Sequence, residues 1–186
     1  MTRYLKHLII AVAIISGSVS CIKEKLEMAY TTQETKIDQY INSNKYTDSS
    51  KTDSLRVVYN GGSSRLVMTE GTGEELSSKG VVAIYYAGYT FNGSKSNANL
   101  FITNHMETAQ KAGWKLTDED YSIYKINMAE TKLLEGLRNG LLGVRSGEHC
   151  QILFSGKYGF GNEEFGIIPA NSALLYEIWV EAVSND

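Results

Sequence analysis

The sequence predicts an α+β fold in which an antiparallel β-sheet wraps around one short helix, with another helix ahead of it in the chain. Three observations carry that prediction. From Leu55 onward, apolar residues recur with a period of two in runs separated by glycine turns, as strands with inward and outward faces require. One late segment, Glu130–Leu142, has the helical period instead. A further helical stretch, Thr32–Asn44, precedes the first strand, so strands and helices are segregated rather than alternating.

The chain opens with Arg3, Lys6 and His7, continues with the apolar run Leu8–Ile15, and then has small residues at positions 16–20 before Cys21. A basic region, a short apolar core and a small-residue cleavage zone make residues 1–21 a signal peptide. The apolar run is too short to span a bilayer, which needs about 20 residues. A cysteine directly after the small residues predicts a bacterial lipoprotein signal with Cys21 acylated; ordinary secretion with an incidental cysteine is the alternative. Ile22–Ala29 then reads as a charged tether.

Thr31 and Glu34 have capping-box spacing, and Ile37, Tyr40 and Ile41 share one face of the predicted helix. Residues 45–54, KYTDSSKTDS, are polar and read as a linker. The division expected is therefore 1–21 signal, 22–54 tether, helix and linker, and 55–186 the folded domain. The 22–54 segment could serve as a spacer or as a packing or self-association element.

Leu55–Asn60 and Ser64–Thr69 flank Gly61-Gly62, a hairpin signal because tight hairpin turns need positive φ. Gly80–Phe91 places Val82, Ile84 and Tyr86 on one face and Val81, Ala83 and Tyr85 on the other. With both faces apolar or aromatic, it is expected to be a central strand. Ser122–Met128, Glu148–Phe154 and Ala173–Val183 are further strands, and Cys150, Ile152 and Phe154 share a face that makes Cys150 a buried apolar residue rather than a reactive thiol. In the Glu130–Leu142 helix, Leu133, Leu137 and Leu141 form a stripe that needs a sheet to cover it.

Composition narrows the function. Removing residues 1–21 takes two of the 18 basic residues and no acid, leaving 16 against 21 acids and a formal charge of −5. No basic patch is available for nucleic acid. With Cys21 acylated, Cys150 is the remaining thiol, so no disulfide is expected within the exported chain. His105 and His149 lack metal-site spacing, the glycine pairs at 71/73 and 159/161 lack the strand–helix context of nucleotide loops, and no nucleophile elbow is present. No metal and no cofactor is expected.

The order of motifs resembles the FKBP-type peptidyl-prolyl isomerases in their exported bacterial form. The motifs are Ile84-Tyr85-Tyr86-Ala87-Gly88, Asn92-Gly93, Phe101, the block Leu133–Gly161, Ile167-Ile168-Pro169 and Leu174–Val180, spread over about Arg65–Val183. The resemblance implies an aromatic proline pocket formed by Tyr86, Phe101, Tyr124, Leu133, Leu134, Leu137, Phe160, Ile168 and Tyr176. It further implies that the Leu134 backbone N–H donates to the substrate carbonyl and that no residue acts by covalent or acid–base chemistry. Expected partners are polypeptide clients, including X-Pro segments, and a membrane reached by the lipid anchor, with the domain facing the periplasm or the surface.

Three positions depart from the family pattern. Leu137 stands where Trp is usual on the pocket floor, Ile102 where Asp follows the phenylalanine, and Phe160 where Tyr is usual in the aromatic-glycine loop. Together they remove polar contacts while keeping an apolar cavity, so two expectations stand: a lipid-anchored isomerase for exported proteins, or an FKBP-like binding or chaperone module with weak or no catalysis. The stretch between Gly93 and Tyr124 is longer than in compact members, with Asn104–Ala112 helical, and Trp114 is either a pocket lid or a buried anchor for this insertion.

Overall fold

In the computed structural model, backbone is described for residues 2–46 and 54–185, and side chains for residues 22–46 and 54–185. The expected signal peptide with Cys21 and the middle of the expected linker lie outside the described side chains. Seven strands, β1 (Val57–Asn60), β2 (Ser63–Thr69), β3 (Val81–Thr90), β4 (Leu100–Thr103), β5 (Tyr124–Asn127), β6 (His149–Phe154) and β7 (Leu174–Ser184), form one antiparallel sheet. Its order is β1-β2-β6-β7-β3-β4, with β5 also paired to β3. The helices are α1 (Thr2–Asn44), α2 (Met106–Lys111) and α3 (Glu135–Leu141).

β3 and β7 are the spine, in register from Val81↔Ser184 to Thr90↔Leu174 with a bulge between Ala83 and Ile84. Both strands carry apolar or aromatic residues on both faces, with Glu177 on the outer face of β7 paired to Lys95 and His149, so each face of the sheet needs a cover. The inner face packs Val82, Ile84, Cys150, Ile152, Phe154 and Ile178 against Leu137 and Leu141 of α3. Cys150 is fully buried and desolvation pushes its thiol well above the ordinary range, as expected of a core residue. Contact between α3 and β6 depends on two glycines: a Cβ on Gly136 would lie 2.2 Å from the Phe154 ring, and one on Gly140 would lie 2.2 Å from Ile152.

α3 is shorter than the predicted Glu130–Leu142 helix. The Asn127 carbonyl accepts from Glu130 and Thr131 N–H, while its side chain accepts from Ala129 N–H. These local turns compete with the first helical turn, and the helix starts only after Leu134.

α1 covers the outer face. Ile37 and Ile41 are buried there with Tyr89, Phe91, Leu100, Leu153 and Leu175, and Tyr40 meets Phe91 edge to face at 5.3 Å. Full burial of each isoleucine is worth roughly 1.5–3 kcal/mol. Polar ties flank this contact: Tyr30 Oη donates to Asn171 Oδ1 at 2.7 Å, Gly156 N–H donates to Gln33 Oε1 at 2.8 Å, and Tyr40 Oη donates to Gln151 Oε1 at 2.9 Å. Of the readings open for this helix, residues 30–41 are a packing element.

One expectation is corrected within α1: the helix runs through Ile22–Ala29 without a break, so Thr31 is not a cap. Thr31, Thr32 and Thr35 hydroxyls donate to carbonyls four residues back, which lets these threonines sit inside a continuous helix. The ends of the expected linker are pinned together, with Leu55 N–H donating to the Lys45 carbonyl at 2.6 Å. β4 was missed in the sequence because four residues inside a long polar stretch give too short a run to show a period.

The sheet is tied to α3 by the buried guanidinium of Arg65, which is also ion-paired to Glu148. Arg65 Nη1 donates to the carbonyls of Gly140 and Leu142, both at 2.8 Å, so its guanidinium caps the end of the helix. Its Nε lies 3.3 Å from Glu148, and Arg56 approaches the same carboxylate at 3.5 Å. Burial raises the Glu148 carboxyl above its ordinary value despite both arginines. Arg65→Ala is expected to cost roughly 3–5 kcal/mol in urea unfolding, because it strands a buried carboxylate and uncaps α3; the Arg65→Met, Glu148→Met double variant is expected to lose less.

Candidate functional site

A cavity of about 290 Å³ opens between the inner sheet face, the start of α3 and the β4–β5 side of the barrel-like curve. Tyr86 and Ile84 reach it from β3, Tyr176 and Ile178 from β7, Tyr124 and Ile126 from β5, Ile102 from β4, and Leu133 and Leu137 from the approach to α3 and its first turn. The cavity exists because α3 is drawn against β6 by its glycines, leaving the β3–β5 side of the inner face under no helix.

The tyrosines belong to two groups of touching rings. Tyr86 and Tyr124 meet edge to face with ring centres 5.9 Å apart, Phe101 meets Tyr176 edge to face at 5.9 Å, and Tyr176 stacks on Phe154 at 6.1 Å. Desolvation raises the Tyr86 and Tyr176 hydroxyls above their ordinary value, so both are neutral donors at physiological pH. The hydroxyls of Tyr86, Tyr124 and Tyr176 are the only polar side-chain groups among the described residues of the lining.

The structure divides the residues mapped from the sequence into two tiers. Tyr86, Tyr124, Leu133, Leu137 and Tyr176 line the cavity. Phe101, Leu134, Phe160 and Ile168 pack behind it against the inner core. Leu134 is the residue preceding α3, with its carbonyl accepting from Arg138 N–H at 2.9 Å. Phe160 stacks on Phe165 at 4.9 Å, while Ile168 is buried.

Sequence mapping missed Ile84, Ile126 and Ile178 as lining residues. A signal for them was present: each stands two positions from a mapped tyrosine on the same strand, and residues two apart share a face. Ile102 was noted for what it replaces, not as a wall. Ile102 lines the cavity while its neighbour Phe101 packs against the inner core, where the β3–β4 register shifts between Gly88 and Tyr89 and Gly88 leaves room for both side chains. A Cβ there would lie 2.8 Å from both the Phe101 ring and Ile102 Cγ2.

Within the insertion, Ile102 lines the cavity, whereas α2 and Trp114 lie on the outer face. Thr108 and Ala109 of α2 are buried, and Trp114 packs with Ala112 against the outer cluster around Tyr89 and Leu175. Trp114 is therefore an anchor and not a lid. His105 and His149 flank Trp179 on that same outer face, with ring centres at 3.8 and 5.0 Å. Among the described residues no three His, Cys, Asp or Glu side chains are gathered so that they could hold a metal, and no helix is long and apolar enough to cross a membrane.

Comparison with known proteins is consistent with this architecture. The curated FK506-binding protein 1 of Aspergillus oryzae is 26% identical over 117 residues, spanning 63% of this chain and 94% of that protein. Among solved structures, the crystal structure of the three FKBP domains of wheat FKBP73 superposes with a TM-score of 0.56 at 22% identity, over 72% of this chain and 53% of that one. A peptidyl-prolyl cis-trans isomerase from Pseudomonas syringae superposes with a TM-score of 0.55 at 18% identity, over 86% of this chain and 96% of that one. The model of the FKBP-type peptidyl-prolyl cis-trans isomerase family matches residues 73–181, which include the whole of the cavity lining, and the chain belongs to that family.

Proposed function

We propose that this protein is a peptidyl-prolyl cis-trans isomerase that takes X-Pro segments of exported polypeptides into the tyrosine-walled cavity, and that it is held at a bacterial membrane by a lipid on Cys21. The observation that carries the first part is the cavity itself: about 290 Å³, apolar but for tyrosine hydroxyls, in the family-matched part of the chain.

The chemistry needs no nucleophile or metal. Rotation about an X-Pro bond is slow because twisting the amide breaks its resonance, across a barrier of about 18–20 kcal/mol. The planar amide is the more polar form, so moving it from water into an apolar cavity penalises the ground state more than the twisted state. Tyr86, Tyr124 and Tyr176 would enclose the proline ring, Leu133 and Leu134 would form the rim, and the Leu134 N–H would hold the substrate carbonyl. A 10⁴-fold acceleration asks for only about 5.4 kcal/mol of such discrimination.

A second reading, a binding or chaperone module, is favoured by one specific feature. Ile102 lies in the cavity wall and is 40% exposed, at a position where the family's acid would contribute to a polar network. Leu137 in place of Trp removes floor surface, and Phe160 in place of Tyr removes a donor. Binding of an apolar segment survives such changes better than catalysis does.

The localisation rests on the leader. Its basic start, the Leu8–Ile15 run and the small residues before Cys21 support export and acylation, with the domain in the periplasm or on the surface.

Catalysis is tested with the full chain in a protease-free assay on X-Pro peptides and on refolding of a proline-limited protein. Acceleration is expected, and Tyr86→Ala and Tyr176→Ala are expected to lower kcat/KM by roughly 10-fold or more while the chain stays folded. No acceleration by folded wild-type protein would reject the enzyme.

The two readings separate in the triple variant Ile102→Asp, Leu137→Trp, Phe160→Tyr. An isomerase already at work is expected to gain no more than roughly 10-fold in kcat/KM, whereas activity appearing only in the variant would establish the binding module.

For the anchor, labelled palmitate is expected to enter the wild-type chain and not Cys21→Ser, with the variant moving to the soluble fraction. Equal labelling of both would reject acylation at Cys21.

A further inference from the structure

β3 has two successive partners along one edge. Val81–Ile84 pair with β5, and Ala87–Tyr89 pair with β4. Between these ladders the edge-facing groups are the Ile84 carbonyl and both polar groups of the Tyr86 backbone, and neither strand reaches all of them. Asn104, one residue past β4 and 5% exposed, fills this gap. Its Oδ1 accepts from Tyr86 N–H at 2.6 Å, and its Nδ2 donates to the Ile84 carbonyl at 3.3 Å. The Tyr86 carbonyl accepts from Asn104 N–H at 3.2 Å and from the Thr103 hydroxyl at 2.7 Å.

The same amide reaches a third segment. Asn104 Nδ2 also donates to the Ser122 carbonyl at 2.9 Å, two residues before Tyr124 begins β5. One buried side chain thus joins the backbone beside Tyr86 to the backbone that delivers Tyr124, and those are the rings that meet edge to face at 5.9 Å in the cavity wall. The amide orientation follows from the partners, since a backbone N–H needs an acceptor and two carbonyls need donors.

We infer that Asn104 is the positioning residue of the pocket: its side-chain amide stands in for a missing rung of the β-ladder and thereby sets the spacing of Tyr86 and Tyr124. The role rests on the isomerase reading for its effect on rate, but not for its effect on structure. An amide on a short stem is required. Asp keeps the acceptor but puts an oxygen in place of the NH2 group that donates to two carbonyls, Ser offers a single short hydroxyl, and Ala removes the partner of the Tyr86 N–H, the buried Ile84 carbonyl and the Ser122 carbonyl. Because a misplacement of about 1 Å can lower a rate by roughly 10²-fold, a loosened Tyr86–Tyr124 pair reads out in turnover as well as in binding.

The test is Asn104→Asp in the full chain, with Asn104→Ser as the second variant if the first does not fold and Ile37→Ala as a control that loosens packing on the opposite face. Two readouts are taken: Tyr86 amide hydrogen exchange by NMR, and kcat and KM for a Leu-Pro tetrapeptide. Faster Tyr86 exchange with kcat/KM lowered by roughly 10-fold or more is expected for the Asn104 variants, against no more than about 2-fold for Ile37→Ala. Unchanged exchange, or a loss of activity no larger than in Ile37→Ala, would overturn the proposal. If wild-type protein shows no isomerisation the enzyme reading fails separately, and exchange alone decides: slow in wild type and fast in the variants supports the role, while equal rates overturn it.

Discussion

The structure depends on one constraint, the burial of both faces of the β3–β7 pair. Val82, Ile84, Tyr176 and Ile178 point one way, Ala87, Tyr89 and Leu175 the other, and neither set can be left in water. A single helix can cover only one face. α3 takes the inner side, and α1 together with the α2 insertion takes the outer. The helix ahead of the domain is therefore part of its core over residues 30–41, because without Ile37 and Ile41 the rings of Tyr89 and Phe91 would lose their cover.

The cavity is a consequence of how the inner cover is fastened. Gly136 and Gly140 pull α3 onto β6, and the Arg65 guanidinium holds its last turn. A short helix fixed at that side cannot also reach β5, so the surface between β3, β5 and β4 closes only with side chains, and tyrosines are large enough to wall it without filling it. Burial keeps Tyr86 and Tyr176 neutral, which leaves an apolar space with a few hydroxyl donors and no charge.

Much of this was legible because the strands keep a two-residue period between their bulges and the hairpin turn sits at adjacent glycines. The Gly61-Gly62 turn, the two-faced β3, the burial of Cys150 and the inner stripe of Leu137 and Leu141 follow from spacing alone. What failed did so where local chemistry overrides spacing. Thr31 resembles a cap in sequence, but its hydroxyl, like those of Thr32 and Thr35, bonds backward within a helix. Asn127 and Thr131 hold a turn where the periodicity continues a helix. In the site, the tyrosines were found by motif order, whereas the isoleucines beside them, and Asn104, were not: the first needed the parity rule applied to each strand, and the second depends on two ladders ending at the same place, which no pattern within one segment can show.

The balance between catalysis and binding in this pocket turns on what the loss of polar groups costs. A site that works by desolvating an amide needs an apolar enclosure more than it needs donors, and the lining here is three tyrosines among aliphatic residues. Removing an acid at the Ile102 position takes away a polar contact, but it also makes the wall beside Tyr124 more apolar, which strengthens the desolvation term. Those effects have opposite signs on the barrier. Desolvation acts only while the segment is enclosed, so the geometry of the wall matters more in this chain than in one with a full polar network. That places the burden on Tyr86 and Tyr124, the first held in β3 opposite Ile178 of β7 and the second in β5 opposite Ile84, with Asn104 bonding to the Tyr86 N–H and the Ser122 carbonyl where the β4 and β5 ladders leave a gap.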